Sequence, residues 1–230
     1  MSHSKQNEPL IRIGNVQFAR IPVKTKIISP QDDIADLIAE FALPLMQPGD
    51  ILTISESPLA ITQGRAIPVA EIKVSLLAKI LSRFVAKVPY GIGLGAPTSM
   101  QCAIEETGVP RILLAAFMGA VGKLFKRKGD FYKVAGMQAA LIDAATTSPV
   151  PPYTDTVIKG PLNPQQICED LHAKFGYEFA VMDINDIGGC WMIGSSKGVS
   201  KHFIEKVMKD NPQGQGDELT PFCIVRRVND

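Results

Sequence analysis

Asn163-Pro-Gln-Gln-Ile-Cys-Glu-Asp-Leu-His-Ala-Lys-Phe-Gly-Tyr-Glu-Phe-Ala-Val-Met-Asp183 reads as a helix running straight into a strand. Asn163 is placed to cap the helix, Pro164 suits the first helical position because an N–H there has no intrahelical partner, and Gln166 stands where a capping box closes. The helix is expected to run to about Lys174, with Gly176 supplying the left-handed residue that ends it. Glu178 to Asp183 is apolar at its centre without alternation, the pattern of a buried strand. Cys190-Trp-Met-Ile193, after Gly188-Gly189, is its expected hairpin partner. A helix feeding a strand that turns back on itself predicts an α+β protein with mixed or antiparallel sheets and packed helices.

The same signals recur outward from this stretch. Ile21 to Ile28 mixes β-branched and basic residues as a half-buried strand does, and Ser29-Pro30-Gln31-Asp32 predicts a helix from Pro30 to Ala42. Pro48-Gly49-Asp50 predicts a turn, and Ile51 to Ser55 a strand. From Ala70 to Val85 the apolar residues fall at helical spacing, and another helix is expected from Thr98 to near Gly108. Arg111 to Gly122 is too uniformly apolar for its period to separate a buried strand from a buried helix, whereas Phe131 to Val134 is expected to be a strand. Ser200 to Lys209 predicts the last helix and Phe222 to Arg226 the last strand. Residues 1–19 are expected to form a tail and 20–230 one domain, with a division into two subdomains near the proline-dense segment, 148–160.

Composition narrows the function. With 46% hydrophobic residues the chain can bury a core, and 24 Lys+Arg against 23 Asp+Glu leave too little positive excess for a duplex-binding protein. The apolar run from Ile112 to Gly122, bounded by Arg111 and Lys123, falls short of the roughly 20 residues of a spanning helix. Met1 to Pro9 is polar and has no apolar secretory segment, so neither nucleic acid nor membrane is an expected partner, and the cytoplasm is the expected compartment. Cys102, Cys168, Cys190 and Cys223 form no CxxC pair and are expected to be reduced, buried thiols.

Four segments could carry chemistry. Asp183-Ile-Asn-Asp186 closes a strand and precedes two glycines, which suits a hard divalent cation with oxygen ligands; an Asx-turn at a hairpin fits the same residues. Gly214-Gln-Gly-Asp-Glu-Leu-Thr-Pro221 frees backbone N–H groups for an anion and adds acids that could share a metal, and it fits a solvated loop as well. Gly91-x-Gly93-x-Gly95 lacks the spacing of a dinucleotide loop and reads as a packing turn. Lys123 to Lys128 is a basic cluster, suited to steering an anion or to an exposed turn. His3, His172 and His202 are scattered and support neither a zinc site nor a nucleophilic triad.

Ile21-Pro-Val-Lys-Thr-Lys26, Pro30-Gln-Asp-Asp33, Pro48-Gly-Asp-Ile51, Gln63-Gly-Arg65, Gly160-Pro-Leu-Asn-Pro164, Val181-Met-Asp183 and the Gly214–Pro221 segment occur in this order. Together they resemble the coenzyme F(420) gamma-glutamyl ligase family, GTP-dependent enzymes that add glutamate to a deazaflavin coenzyme. The resemblance implies an interlocked homodimer and a ligase taking small-molecule carboxylate and amino-acid substrates, GTP or ATP, and magnesium or manganese. It implies that Asp183 binds metal, with Asp186 and Glu218 the further expected ligands. It also implies that Gly214, Gln215, Gly216, Asp217 and Thr220 form a nucleotide loop. Glu56 and Ser57 resemble residues near the nucleotide, and Pro22 and Val23 lie where the family's first strand approaches it.

Three positions depart from the active members of that family. A lysine stands near the position of Ile61, a threonine at that of Ile184, and an acid in the stretch aligned with Gly95 to Gln101, which here has none. Each departure removes charge or polarity where phosphoryl transfer depends on it. The alternative expectation is therefore a non-catalytic nucleotide- or coenzyme-binding protein.

Overall fold

The computed structural model describes residues 9–85, 93–127, 129–185 and 189–228, and the chain divides into two compact units, 1–63 with 162–230, and 64–161. It is mixed α+β, with a six-stranded sheet in the first unit and a two-stranded sheet in the second.

The first unit opens with a hairpin where the sequence suggested a tail. Strands β1 (Leu10–Ile13) and β2 (Val16–Val23) join through Gly14-Asn15, with Gly14 at φ 61° in the two-residue turn that matches strand twist. The alternation of Ile11, Ile13 and Phe18 toward the apolar cluster around Ile204 and Met208 holds the hairpin in place, and Phe18 meets Phe203 edge-on at 4.8 Å. The first strand accordingly ends at Val23, not Ile28. The helix expected from Pro30 begins later, because Asp32 accepts from the Ser29 N–H (2.7 Å) and hydroxyl (2.8 Å) and makes a turn of that segment. Asp33 is the cap instead, leading into α1 (Ile34–Leu37), a π-helical turn at Ile38–Ala42 and a 3-10 turn at Leu43–Leu45. Strand β3 (Ile51–Ser55) and helix α2 (Glu56–Thr62) complete this half.

The second unit contains β4 (Ala66–Pro68), α3 (Leu76–Ser82), α4 (Pro97–Thr107), α5 (Val109–Leu124), α6 (Asp130–Ala135), α7 (Met137–Ala140) and β5 (Thr156–Ile158), which pairs antiparallel with β4. The apolar run that fitted either a strand or a helix lies in α5, and Phe131 to Val134 is helical, not a strand. The cause is close packing on the small side of α5. A Cβ on Gly119 would stand 3.1 Å from the Phe131 Cβ, and one on Gly122 would stand 2.5 Å from the Asp130 carboxylate. The opposite side of α5 exposes Leu113, Leu114, Phe117, Met118 and Leu124, the last at 83%. No single helix among the described residues is long and apolar enough to cross a membrane; α4 and α5 pass that test only together, and they are bent by 118°.

The chain returns to the first unit with α8 (Pro164–Phe175), β6 (Glu178–Ile184), β7 (Cys190–Ser195), α9 (Lys201–Val207) and β8 (Phe222–Val228). Gly176 ends α8 in the left-handed conformation, but no capping box starts it. Asn163 itself is left-handed (φ 48°), and Gln166 donates to Asp170. The helix start is instead seated on β7: Gln165 brackets the Ser195 backbone with two hydrogen bonds, and a Cβ on Gly194 would lie 2.4 Å from the Pro164 carbonyl carbon. The sheet order is β1-β2-β8-β3-β6-β7, with every pair antiparallel except β3 and β6.

Candidate functional site

That parallel pair determines where the expected site residues go. Ser55 lies opposite Met182, so Glu56 and Asp183 are each the next residue along neighbouring chains at the same end of the sheet. β8 runs the other way, with Phe222 opposite both Ile54 and Val23, so its start and the end of β2 share that end. The pairing continues beyond the strands: Ser55 N–H donates to the Pro221 carbonyl at 2.9 Å, and Thr25 N–H to the Leu219 carbonyl at 2.8 Å. The segments holding Pro22 and Val23, Glu56 and Ser57, Asp183, and the 214–221 loop therefore converge on one sheet end, although they are far apart in sequence. Among these residues Val23 is a core side chain, Glu56 is buried at 8% exposure, and Ser57 and Asp183 are half-buried.

The loop is built on a buried base. Gln213, 4% exposed, donates from Nε2 to the Pro221 carbonyl at 2.7 Å, while the Thr220 hydroxyl donates to the Gln213 carbonyl. Gly214 N–H donates to the Asn211 carbonyl at 3.1 Å. Over this base the Glu218 carboxylate folds back and accepts from the Gly216 N–H at 2.8 Å. The sequence reading passed over Gln213, although its place just ahead of Gly214 and after Asn211-Pro212 was a signal for an anchor. Gln215, Gly216, Asp217 and Glu218 are exposed.

At the end of β6 the hairpin reading accounts for Asn185. Its N–H donates to the Gly189 carbonyl at 2.9 Å, and its side-chain oxygen accepts from the Gly189 N–H at 2.8 Å, closing the β6–β7 turn. Asp183 lies opposite Trp191 in this hairpin, and Asp186 lies outside the described residues. Among the described residues no three His, Cys, Asp or Glu side chains cluster.

The other candidates are structural. Gly93–Gly95 is a 3-10 turn, with Gly91 outside the described residues. In the basic cluster, Lys123 donates to the Phe84 carbonyl at 3.0 Å and Arg127 pairs with Asp130 at 3.0 Å, while Lys128 lies outside the described residues. Burial pushes the Cys102 thiol up to about 11 and those of Cys168, Cys190 and Cys223 up to about 12, so at neutral pH none is a thiolate nucleophile.

Gln63-Gly-Arg65 and Gly160-Pro-Leu162 meet as partners. Gln63 holds the Leu162 backbone in the first unit. In the second, Arg65 Nε donates to the Gly160 carbonyl at 2.6 Å and its Nη2 to Glu106 at 2.8 Å.

A glycine-containing loop, a buried glutamate and a strand-terminal aspartate thus share one sheet end of an α+β protein. The chain belongs to the F420-0:Gamma-glutamyl ligase family, whose model matches residues 22–200 and so includes the last two residues of β2 with all of β3, α2 and β6, while leaving the 214–221 loop and β8 beyond its end. No curated protein matches the chain.

Proposed function

We propose that this chain is a cytoplasmic, homodimeric ligase that uses GTP or ATP with magnesium or manganese to join a small-molecule carboxylate to an amino acid. The observation that carries this reading is the parallel register of β3 and β6, which sets Glu56 and Asp183 at the sheet end shared with the 214–221 loop, in a chain of the gamma-glutamyl ligase family. In this reading Asp183, Asp186 and Glu218 hold the cation, and Pro22, Val23, Glu56, Ser57, Gly214, Gln215, Gly216, Asp217 and Thr220 line the nucleotide. The cation supplies charge neutralisation at phosphate oxygens. The loop amides offset charge developing on the transferred phosphoryl group, and the half-buried Asp183 keeps its orientation through the β6–β7 ladder. Carboxylate attack on the terminal phosphorus yields an acyl phosphate and the nucleoside diphosphate; the amine then displaces phosphate and forms the amide.

The test is phosphate release from GTP with manganese, glutamate and a deazaflavin carboxylate acceptor. Turnover is expected and should fall about 100-fold or more in Asp183→Asn. Equal turnover in the variant removes Asp183 from the machinery.

A second reading, a nucleotide- or coenzyme-binding protein without catalysis, is favoured by two side chains. Ile61 is buried at 6% exposure in α2, and Ile184 packs against the apolar cluster of the first unit. They stand where the family resemblance expects a lysine and a threonine. Calorimetric binding of GTP without phosphate release supports this reading over the first.

A further inference from the structure

We infer that the Glu218 carboxylate is the resident anion of the Gly214–Gly216 loop, so that a phosphate reaches the Gly216 amide only by displacing it. The inference rests on the loop being the phosphate end of the site proposed above, and it makes Glu218 the residue that sets which anions the loop admits.

Three features carry it. The Gly216 N–H donates to Glu218 Oε2 at 2.8 Å, a charge-assisted bond of the kind a phosphate oxygen would make. Both glycine α-carbons face the carboxyl group: a Cβ on Gly214 would stand 2.8 Å from the Glu218 Cδ, and one on Gly216 2.9 Å from its Oε2. The carboxylate thus lies directly over both glycines, and a Cβ on either would push it aside. Finally, the frame under it is fixed. Gln213 is tied to the Pro221 carbonyl, Thr220 to the Gln213 carbonyl, and Leu219, itself left-handed at φ 57°, to the Thr25 N–H.

Among the described residues Glu218 has no cationic partner, and it is exposed, so the carboxylate rests on backbone dipoles and can swing away. An incoming polyanion must break one hydrogen bond and approach a like charge. Glutamine keeps an acceptor of the same length for the Gly216 N–H and removes the charge. Asp36, an exposed acid on α1 outside the loop, controls for net charge alone.

The experiment titrates inorganic tripolyphosphate and, separately, GTP into the full chain without divalent metal, by calorimetry. It compares the unaltered protein with Glu218→Gln and Asp36→Asn and follows the Gly216 amide resonance by NMR. Tripolyphosphate is expected to bind Glu218→Gln about fivefold or more tightly than the unaltered protein, with the Gly216 resonance shifting, while Asp36→Asn changes affinity less than about twofold. Equal gains in the two variants, unchanged or weaker binding by Glu218→Gln, or no binding by any of the three up to about 10 mM overturns the inference. If tripolyphosphate behaves as expected and GTP binds none of them, the nucleotide reading fails while the resident anion stands.

Discussion

Gln63 clamps Leu162 at two points: its Nε2 donates to the Leu162 carbonyl at 3.0 Å, and its Oε1 accepts from the Leu162 N–H at 2.7 Å. A side-chain amide here substitutes for a strand partner at the place where the chain leaves the first unit and comes back to it. Gln63→Ala removes both bonds, which are exposed enough for water to replace them. The expected loss is about 1–2 kcal/mol in urea unfolding, together with faster limited proteolysis between residues 60 and 65. Gln63→Glu, which keeps the acceptor and loses the donor, is expected to lie between the two.

Arg226 holds Asp50 from β8. Its Nη2 donates to Asp50 Oδ2 at 2.7 Å and its Nε to Oδ1 at 3.0 Å, while Asp50, 2% exposed, also accepts from the Gln47 N–H at 2.7 Å. Arg226→Met strands a buried carboxylate, and breaking such a pair by removing one partner costs about 3–5 kcal/mol. Arg226→Lys is expected to recover only part of that, because an ammonium cannot reproduce the two-pronged contact. Thermal unfolding of both variants measures the difference, and Asp50→Asn should be the mildest change of the three.

Glu106 gives the second unit a dependence on acid. Burial by itself would raise its carboxyl, but the hydrogen bonds and charges of Arg65 and Lys159 prevail and hold it below its ordinary 4.5. A carboxyl depressed by folding contributes stability that is complete above its unfolded value and lost as pH falls through the folded one. Glu106→Gln is therefore expected to cost about 1–2 kcal/mol at pH 7. The gap from the unaltered protein should close progressively below about pH 4.5 as the native carboxyl takes up its proton. Urea midpoints measured at several pH values check both the size and the sign.

Much of this architecture was legible because local signals and tertiary packing agree. The turn at Pro48 to Asp50, the strand after it, Gly176 at the end of α8 and the β6–β7 hairpin all follow from residue type at a given spacing. The misses occur where a distant partner decides. Phe131 to Val134 looks β-prone, but the two glycines on α5 draw that segment into helical packing. Ser29 looks like a helix cap, but Asp32 claims both its N–H and its hydroxyl. For the candidate site, the sequence could indicate the types of residue at Asp183, Glu56 and the terminal loop. It could not show that a parallel pairing of β3 with β6 sets them at one sheet end, nor that Glu218 turns onto Gly216. Register and side-chain direction are long-range properties that spacing does not encode.

The outward side of α5 bears on the proposed homodimer. This helix inverts the usual soluble pattern: Ala115, Gly119 and Gly122 face the protein, while Leu114 is 54% exposed, Phe117 64% and Leu124 83%. Large apolar side chains left together on one helix face mark an interaction surface, since monomers rarely keep such patches in water. In the homodimer proposed above, a two-fold axis would set this face against the same face of a second copy. A stable interface needs on the order of 800 Å² from each partner, so one acidic residue at the centre of the stripe should be enough to break it. Phe117→Asp is expected to convert a dimer into a monomer in light scattering, with unchanged helical circular dichroism because the side chain points away from the core. A dimer that persists in Phe117→Asp puts the dimer contact elsewhere on the chain, and an unaltered protein that is monomeric at about 100 μM removes the homodimer altogether.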